Sequence, residues 1–259
     1  MNEILQDKEN VNLLWTGGWD STFQLLQLLI IHRCRVTPFY LIDAERRSTG
    51  VEIRTMKRIK DHLWKEYPHT HELLQPTMYF AVADISPDSE ITEAYRTILK
   101  EKYMGIQYDW LARFCKENLI TDMQICITAE RSHDKTHFDY SQIISESADD
   151  VKTGFRIDPK IKMMKEYALF RYYSFPIIKI TKIQMFDIAN QQGWDKIMAM
   201  TWFCHKPTRN MQPCGICNPC LMSIGEGLGW RIPIRRRIVS FFIRPLKSIT
   251  KKMHYRRLK

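Results

Sequence analysis

The sequence predicts an α/β fold: a mostly parallel five-stranded sheet with helices on both faces, followed by a small C-terminal four-cysteine zinc site. Three observations predict it. Short apolar runs alternate with segments of helical periodicity along the first 200 residues, the pattern of right-handed crossover units. A pair of glycines follows the first of those runs directly. Hydrophobic residues make up 44% and charged residues 26% of the 259, a mix that suits a packed globular body and not a disordered chain.

Asn12 to Trp15 reads as a short buried strand running into the turn Thr16-Gly17-Gly18. A helix is expected from Asp20, with Phe23, Leu25, Leu26, Leu29 and Ile30 on its apolar side. Arg35 to Ile42 reads as the second strand, complicated by Pro38. Glu52 to Tyr67 is a helix by the spacing of Ile53, Met56, Ile59, Leu63 and Trp64, and Pro68 ends it. Thr77 to Val82 is the third strand. Trp110, Leu111, Phe114 and Cys115 mark one face of another helix, and Met123 to Ala129 is the fourth strand. Phe175 to Ile180 is the fifth strand or an extended segment. Thr181 to Gln192 is a helix stopped by Gly193. Residues 131–165 are polar and hard to assign, and are expected to form a loop and helix over the sheet edge.

Charge is unevenly spread. The net charge is +10, yet the stretch from Arg231 to Lys259 holds eleven Lys/Arg and no Asp or Glu, so the preceding chain is close to neutral. A polyanion contact is therefore assigned to the tail and not to the body. The longest nearly apolar run, Leu25 to Ile31, is too short to cross a bilayer. The polar, acidic start (Asn2, Glu3, Asp7, Glu9) lacks a secretory signal. With clustered cysteines, this leads us to expect a reducing, cytoplasmic setting. The expected organisation is 1–200 nucleotide-binding, 201–230 metal-binding, and 231–259 a basic amphipathic tail.

The segment Leu14-Trp15-Thr16-Gly17-Gly18-Trp19-Asp20-Ser21-Thr22-Phe23 is the first chemical signal. Two glycines let main-chain N–H groups approach an anion, and the helix start adds unpaired donors and the positive end of a dipole. Thr16, Ser21 and Thr22 add hydroxyls. Asp20 repels phosphate; it makes sense as an N-cap or as a ligand for the Mg2+ that accompanies phosphates. The segment is neither a Walker A loop nor a dinucleotide fingerprint. Cys204-x9-Cys214-x2-Cys217-x2-Cys220 is the second signal. Four thiolates complete a tetrahedral Zn2+ shell with no vacant position, which reads as structural; an iron–sulfur cluster is the metal alternative. Cys34, Cys115 and Cys126 lie singly among apolar residues.

The glycine segment resembles the S-G-G-x-D-S signature of the PP-loop ATP pyrophosphatases, with Thr16 in place of the first Ser. Together with C-x9-C-G-x-C-x2-C, it is similar to 7-cyano-7-deazaguanine synthase. Pro176 to Gln184 looks like that family's P-x-x-x-L-T-K-x-E segment. The resemblance runs in islands over residues 11–224. It implies a PP-loop/adenine nucleotide alpha-hydrolase-like fold, ATP at Leu14–Phe23, and Asp20 and Lys182 as catalytic residues. It also implies a C–N ligase releasing AMP and pyrophosphate, with a deazapurine carboxylate and ammonia as partners, and a homodimer. Thr181 and Gln184 independently have capping-box spacing, which sets Lys182 in a first helical turn against the helix dipole.

The sequence departs from that pattern after two strands. Leu41 to Arg47 replaces an aromatic-Gly-Gln-Arg-His stretch, and Thr128 to Asp139 replaces the loop that helps hold the deazaguanine. Asp43, Glu130, Arg131, His133 and Asp134 are the candidate acceptor contacts. The alternatives are a PP-loop sulfur or amide transferase acting on tRNA or another macromolecule, and a nucleotide-binding protein without turnover. In the tail, Ile234, Ile238, Phe241, Phe242 and Ile243 alternate with arginines, a composition suited to an anionic membrane or to nucleic acid.

Overall fold

The computed structural model describes residues 10–129, 138–145 and 154–242. Its centre is a six-stranded sheet of β1 (Asn10–Leu14), β2 (Arg35–Ile42), β3 (Met78–Ala81), β4 (Met123–Gln124), β5 (Phe155–Arg156) and β6 (Tyr173–Phe175), in the order β3-β2-β1-β4-β6-β5. β1, β2, β3, β4 and β6 run parallel; β5 is antiparallel to β6. The chain winds outward from β1 to β3 on one side and returns to β4 on the other. Ligands of such sheets bind at strand C-termini where the winding reverses, and the turn after β1 occupies that position.

Alternation along β2 shows how the layers form. Val36 and Tyr40 pack with α1 (Trp19–Leu26), α2 (Thr49–Glu66), α7 (Lys182–Gln191) and α8 (Asp195–Met200). Phe39 and Leu41 pack on the other face with α4 (Ser89–Glu101), α5 (Gln107–Glu117) and α6 (Lys165–Phe170). A strand buried on both faces reads as a nearly continuous apolar run, and RVTPFYLI does so through Pro38 without a break. The helix after β1 continues into a π-helical turn, Gln27–Ile31. A buried hydrogen bond from Gln24 Nε2 to Gln124 Oε1, 2.9 Å, ties α1 to β4 beneath the turn.

The fold class is as expected, with four differences in detail. The described residues form six strands, the extra one being the two-residue β5 inside the stretch expected to be a loop and helix. The expected fourth strand, Met123 to Ala129, forms ladder pairs only over Met123–Gln124. The expected fifth strand, Phe175 to Ile180, is displaced: β6 ends at Phe175 and the chain turns from Pro176, which has no N–H to continue a ladder. Asp20 is not an N-cap; Gly18 takes that place and Asp20 lies in the first turn.

Beyond the sheet lie two further helices, α3 (Thr70–Leu73) and α9 (Asn218–Gly225). The cysteine cluster, Ile232, and the partly buried Trp202 and Phe203 form a small separate core. Residues 234–242 are helical and dock there: the Ser240 hydroxyl donates to the Gly215 carbonyl. No described helix is long and apolar enough to cross a membrane.

Candidate nucleotide site and cysteine cluster

The turn after β1 is built from the inside out. Trp15 is fully buried; its N–H donates to Phe39 O (2.9 Å) and its Nε1 to Thr22 Oγ1 (3.0 Å). Thr22 therefore braces the turn, and Phe23 lies in the core edge-on to Trp194. Gly17 has φ +67°, and a Cβ there would lie 3.1 Å from Thr55 Cγ2 and 3.2 Å from Met56 Cγ. Both its conformation and its packing require glycine. Gly18 is extended and no described side chain caps α1, so the first-turn amides of Trp19, Asp20 and Ser21 have no side-chain partner at the cap. Backbone donors gathered at a helix start favour an anion.

Lys182 enters this corner from α7. Thr181 and Gln184 form the expected capping box: Gln184 N–H donates to Thr181 Oγ1 (3.2 Å) and Thr181 N–H to Gln184 Oε1 (2.8 Å). Lys182 Nζ lies 3.5 Å from Asp20 Oδ1 and 2.7 Å from Glu226 Oε2, with all three side chains largely shielded. The two carboxylates offset the unfavourable dipole that α7 imposes on its first-turn cation. Asp20 Oδ1 and Glu226 Oε2 are buried oxygens whose charged partner is Lys182 Nζ. A carboxylate oxygen in that condition beside an anion corner fits a hard cation such as Mg2+.

Arg231 closes the same side. Its guanidinium lies 4.9 Å from the Trp19 ring centroid and 4.6 Å from that of Phe203, and it donates to Thr201 O and Oγ1 (2.6 Å). Burial pushes its pKa down to about 10, against the field of Asp20, which raises it. Trp202 N–H donates to Gly17 O at 2.8 Å, so the segment leading into the cysteines lies directly on the glycine turn.

After β2, Asp43 Oδ1 accepts from Glu45 N–H (3.0 Å), and buried Glu52 accepts from Tyr40 Oη (2.8 Å) and Ser48 Oγ (2.6 Å), with Arg46 at 3.8 Å. Burial and then the Glu52 charge push the Tyr40 phenol well above its ordinary value. Asp43 thus sits at a strand C-terminus as expected. Glu130, Arg131, His133 and Asp134 lie outside the described residues. Asp20 and Lys182 come together from distant parts of the chain. Glu226 and Arg231 were not singled out by the sequence: Glu226 belongs to no motif, and Arg231 is counted with a charge run.

The sulfurs of Cys204, Cys214, Cys217 and Cys220 lie within 4.8 Å of one another, and all four residues are buried. Cys217–Cys220, Cys217–Cys204 and Cys214–Cys220 are separated by 3.5, 3.8 and 3.9 Å. An ion about 2.3 Å from each thiolate in a tetrahedron spaces the sulfurs about 3.8 Å apart. A four-iron cluster interposes its own metal edges and spreads its thiolates further, so the donor set fits a single ion. Cys214 N–H donates to Cys204 Sγ (3.2 Å), and Ile216 and Cys217 N–H to Cys214 Sγ (3.4 and 3.3 Å), the outer-shell donors that orient thiolates on a metal. Gly215, at φ +77°, makes the knuckle. Of the remaining cysteines, Cys34 and Cys115 are buried and Cys126 is half-buried; burial drives the Cys115 and Cys126 thiols up, the Asp20 charge adding to it at Cys126.

No known protein family pattern matches the chain, and no curated protein does. Among solved structures, the chain is similar to the U34-tRNA thiolase NcsA from Methanococcus maripaludis with its [4Fe-4S] cluster, at 12% identity and a TM-score of 0.43, over 95% of this chain and 75% of that one.

Proposed function

We propose that the chain is an ATP-dependent, AMP-forming ligase of the PP-loop type, which adenylates a carboxylate acceptor for attack by nitrogen. The observation that carries this reading is the corner at the sheet's switch point. It combines a left-handed Gly17, an α1 start without a side-chain cap, and Asp20 and Lys182 at its mouth. The acceptor oxygen attacks the α-phosphorus, and the bond to the bridging oxygen breaks so that pyrophosphate leaves. The nitrogen nucleophile then attacks the acyl carbon and AMP departs.

The first-turn amides hold phosphate oxygens. Lys182, released from Glu226, neutralises charge developing on the leaving group. Catalysis of this kind is positioning and electrostatic stabilisation. Mg2+ on Asp20 Oδ1 would supply charge neutralisation of the phosphates when bound. The four cysteines would hold Zn2+, whose closed shell supplies rigidity to the segment lying on the turn. Four sulfurs spaced for a single ion, and three further cysteines with no paired spacing in the sequence, favour nitrogen transfer over a thiol-borne sulfur.

The loops at Leu41 to Arg47 and Thr128 to Asp139 replace the family's deazapurine contacts. A 7-carboxy-7-deazaguanine-like acid is the acceptor the resemblance implies, and those replacements favour the second reading, sulfur or amide transfer to tRNA or another macromolecule. Purified protein with ATP and Mg2+ is to be offered the 7-carboxy acid with ammonium, and separately tRNA, following pyrophosphate and AMP. Release with the acid alone supports the ligase. Release with tRNA alone selects the second reading, and nucleotide binding without turnover on any acceptor refutes catalysis.

A further inference from the structure

Residues 234–242 form a helix whose docked side and apolar side are opposite. Ser240 is buried, and its hydroxyl donates to Gly215 O, with Arg236 O also within hydrogen-bond reach, which pins the helix to the cysteine knuckle. Backbone contact is close there: a Cβ at Gly215 would stand 2.7 Å from Arg236 O. At 3.6 residues per turn, Ile234, Ile238, Phe241 and Phe242 project away from that contact. Their exposures are 66, 55, 74 and 68%. Arg235 and Arg237, also exposed, lie on the two borders of this stripe. An amphipathic helix ordinarily turns its apolar stripe to the body; this one turns it to solvent.

We propose that this helix is a membrane-surface anchor, which sets Ile234, Ile238, Phe241 and Phe242 into the acyl boundary of an anionic leaflet and places Arg235 and Arg237 on headgroup phosphates. Apolar side chains bordered by cations are the composition of helices that lie in the interface plane. The charge of the whole stretch matches such a surface, with eleven Lys/Arg and no acid from Arg231 onward. The same charge opposes a second copy of this helix across the stripe, since cations would face cations. Phosphates of RNA match the arginines, but they offer nothing to two isoleucines. The anchor is independent of the chemistry at Gly17.

The test is co-sedimentation of the full-length protein with vesicles of phosphatidylglycerol and phosphatidylcholine, against phosphatidylcholine alone. The partition coefficient is expected to be about tenfold or more higher on the anionic vesicles and to fall with salt. The variant Phe241→Ser/Phe242→Ser loses about tenfold or more of that partition, while Arg235→Gln/Arg237→Gln lowers the preference for the anionic lipid about tenfold. Because these side chains are exposed, the folded fraction measured by circular dichroism stays unchanged. Absence of partition overturns the proposal, as does partition unaffected by the phenylalanine substitutions. It is also overturned by a concentration-dependent dimer that the same substitutions abolish, or by RNA binding that displaces the protein from vesicles and ignores those substitutions.

Discussion

Gly17 shows how much one position can constrain. Its left-handed backbone lets the chain leave β1 and enter α1 within four residues, and a side chain there would begin in tight contact with Thr55 and Met56. Gly17→Ala is therefore expected to cost about 1–2 kcal/mol from conformation alone, read as a lower urea midpoint, and to abolish ATP binding measured by calorimetry. Lys182 is the second decisive residue. Lys182→Ala should lower the rate of pyrophosphate release about 100-fold with the urea midpoint changed far less than in Gly17→Ala. Equal rates in the wild type and this variant would remove Lys182 from the chemistry. Both residues are legible in the sequence because each belongs to a short run with its own local logic. Glu226 is not, since a carboxylate that reaches Lys182 from the end of α9 has no neighbour in sequence to announce it.

Helices declare themselves through their ends more than their strands do. The capping box at Thr181 and Gln184 is a local device and survives folding unchanged. α4 uses another: Asp88 accepts from Ile91 N–H at 3.0 Å and pairs with Lys116 at 2.5 Å. The Lys116 hydrogen bond first, then the Ile91 amide, hold the Asp88 carboxyl below its ordinary 3.8. A carboxylate with a depressed folded pKa stabilises fully above its unfolded pKa and loses that contribution as pH falls through the folded one. Asp88→Ala should thus cost about 1 kcal/mol at pH 7, and the gap from wild type in urea denaturation should close as pH drops below the carboxylate range. A constant gap down to acid pH would show that the cap is not titrating. Strands were less legible. β4 and β5 have two residues each, too few for alternation to appear, and the apolar run after Phe175 becomes a turn because Pro176 starts it.

Across the whole molecule, the cysteine cluster and the glycine turn are one construction. Trp202, two residues before Cys204, bonds to Gly17; Glu226 follows the helix that carries Cys220; Arg231 bridges Thr201 and Trp19. If the proposed site holds Zn2+ and the turn holds ATP, treatment with a strong chelator, or Cys220→Ser, should weaken ATP binding about tenfold or more and lower the Tm, with metal content and calorimetry measured on the same preparation. Unchanged ATP affinity in verified metal-free protein would sever the two. The sequence shows both motifs but not their union, because residues so far apart meet only through tertiary packing. That union has a consequence for biosynthesis. The turn leaves the ribosome before the Trp202 amide that completes it, which is supplied 185 residues later. Nascent chains stalled before Trp202 should therefore bear a formed β1 and α1 without the finished corner, which makes its closure a late event in the order of assembly.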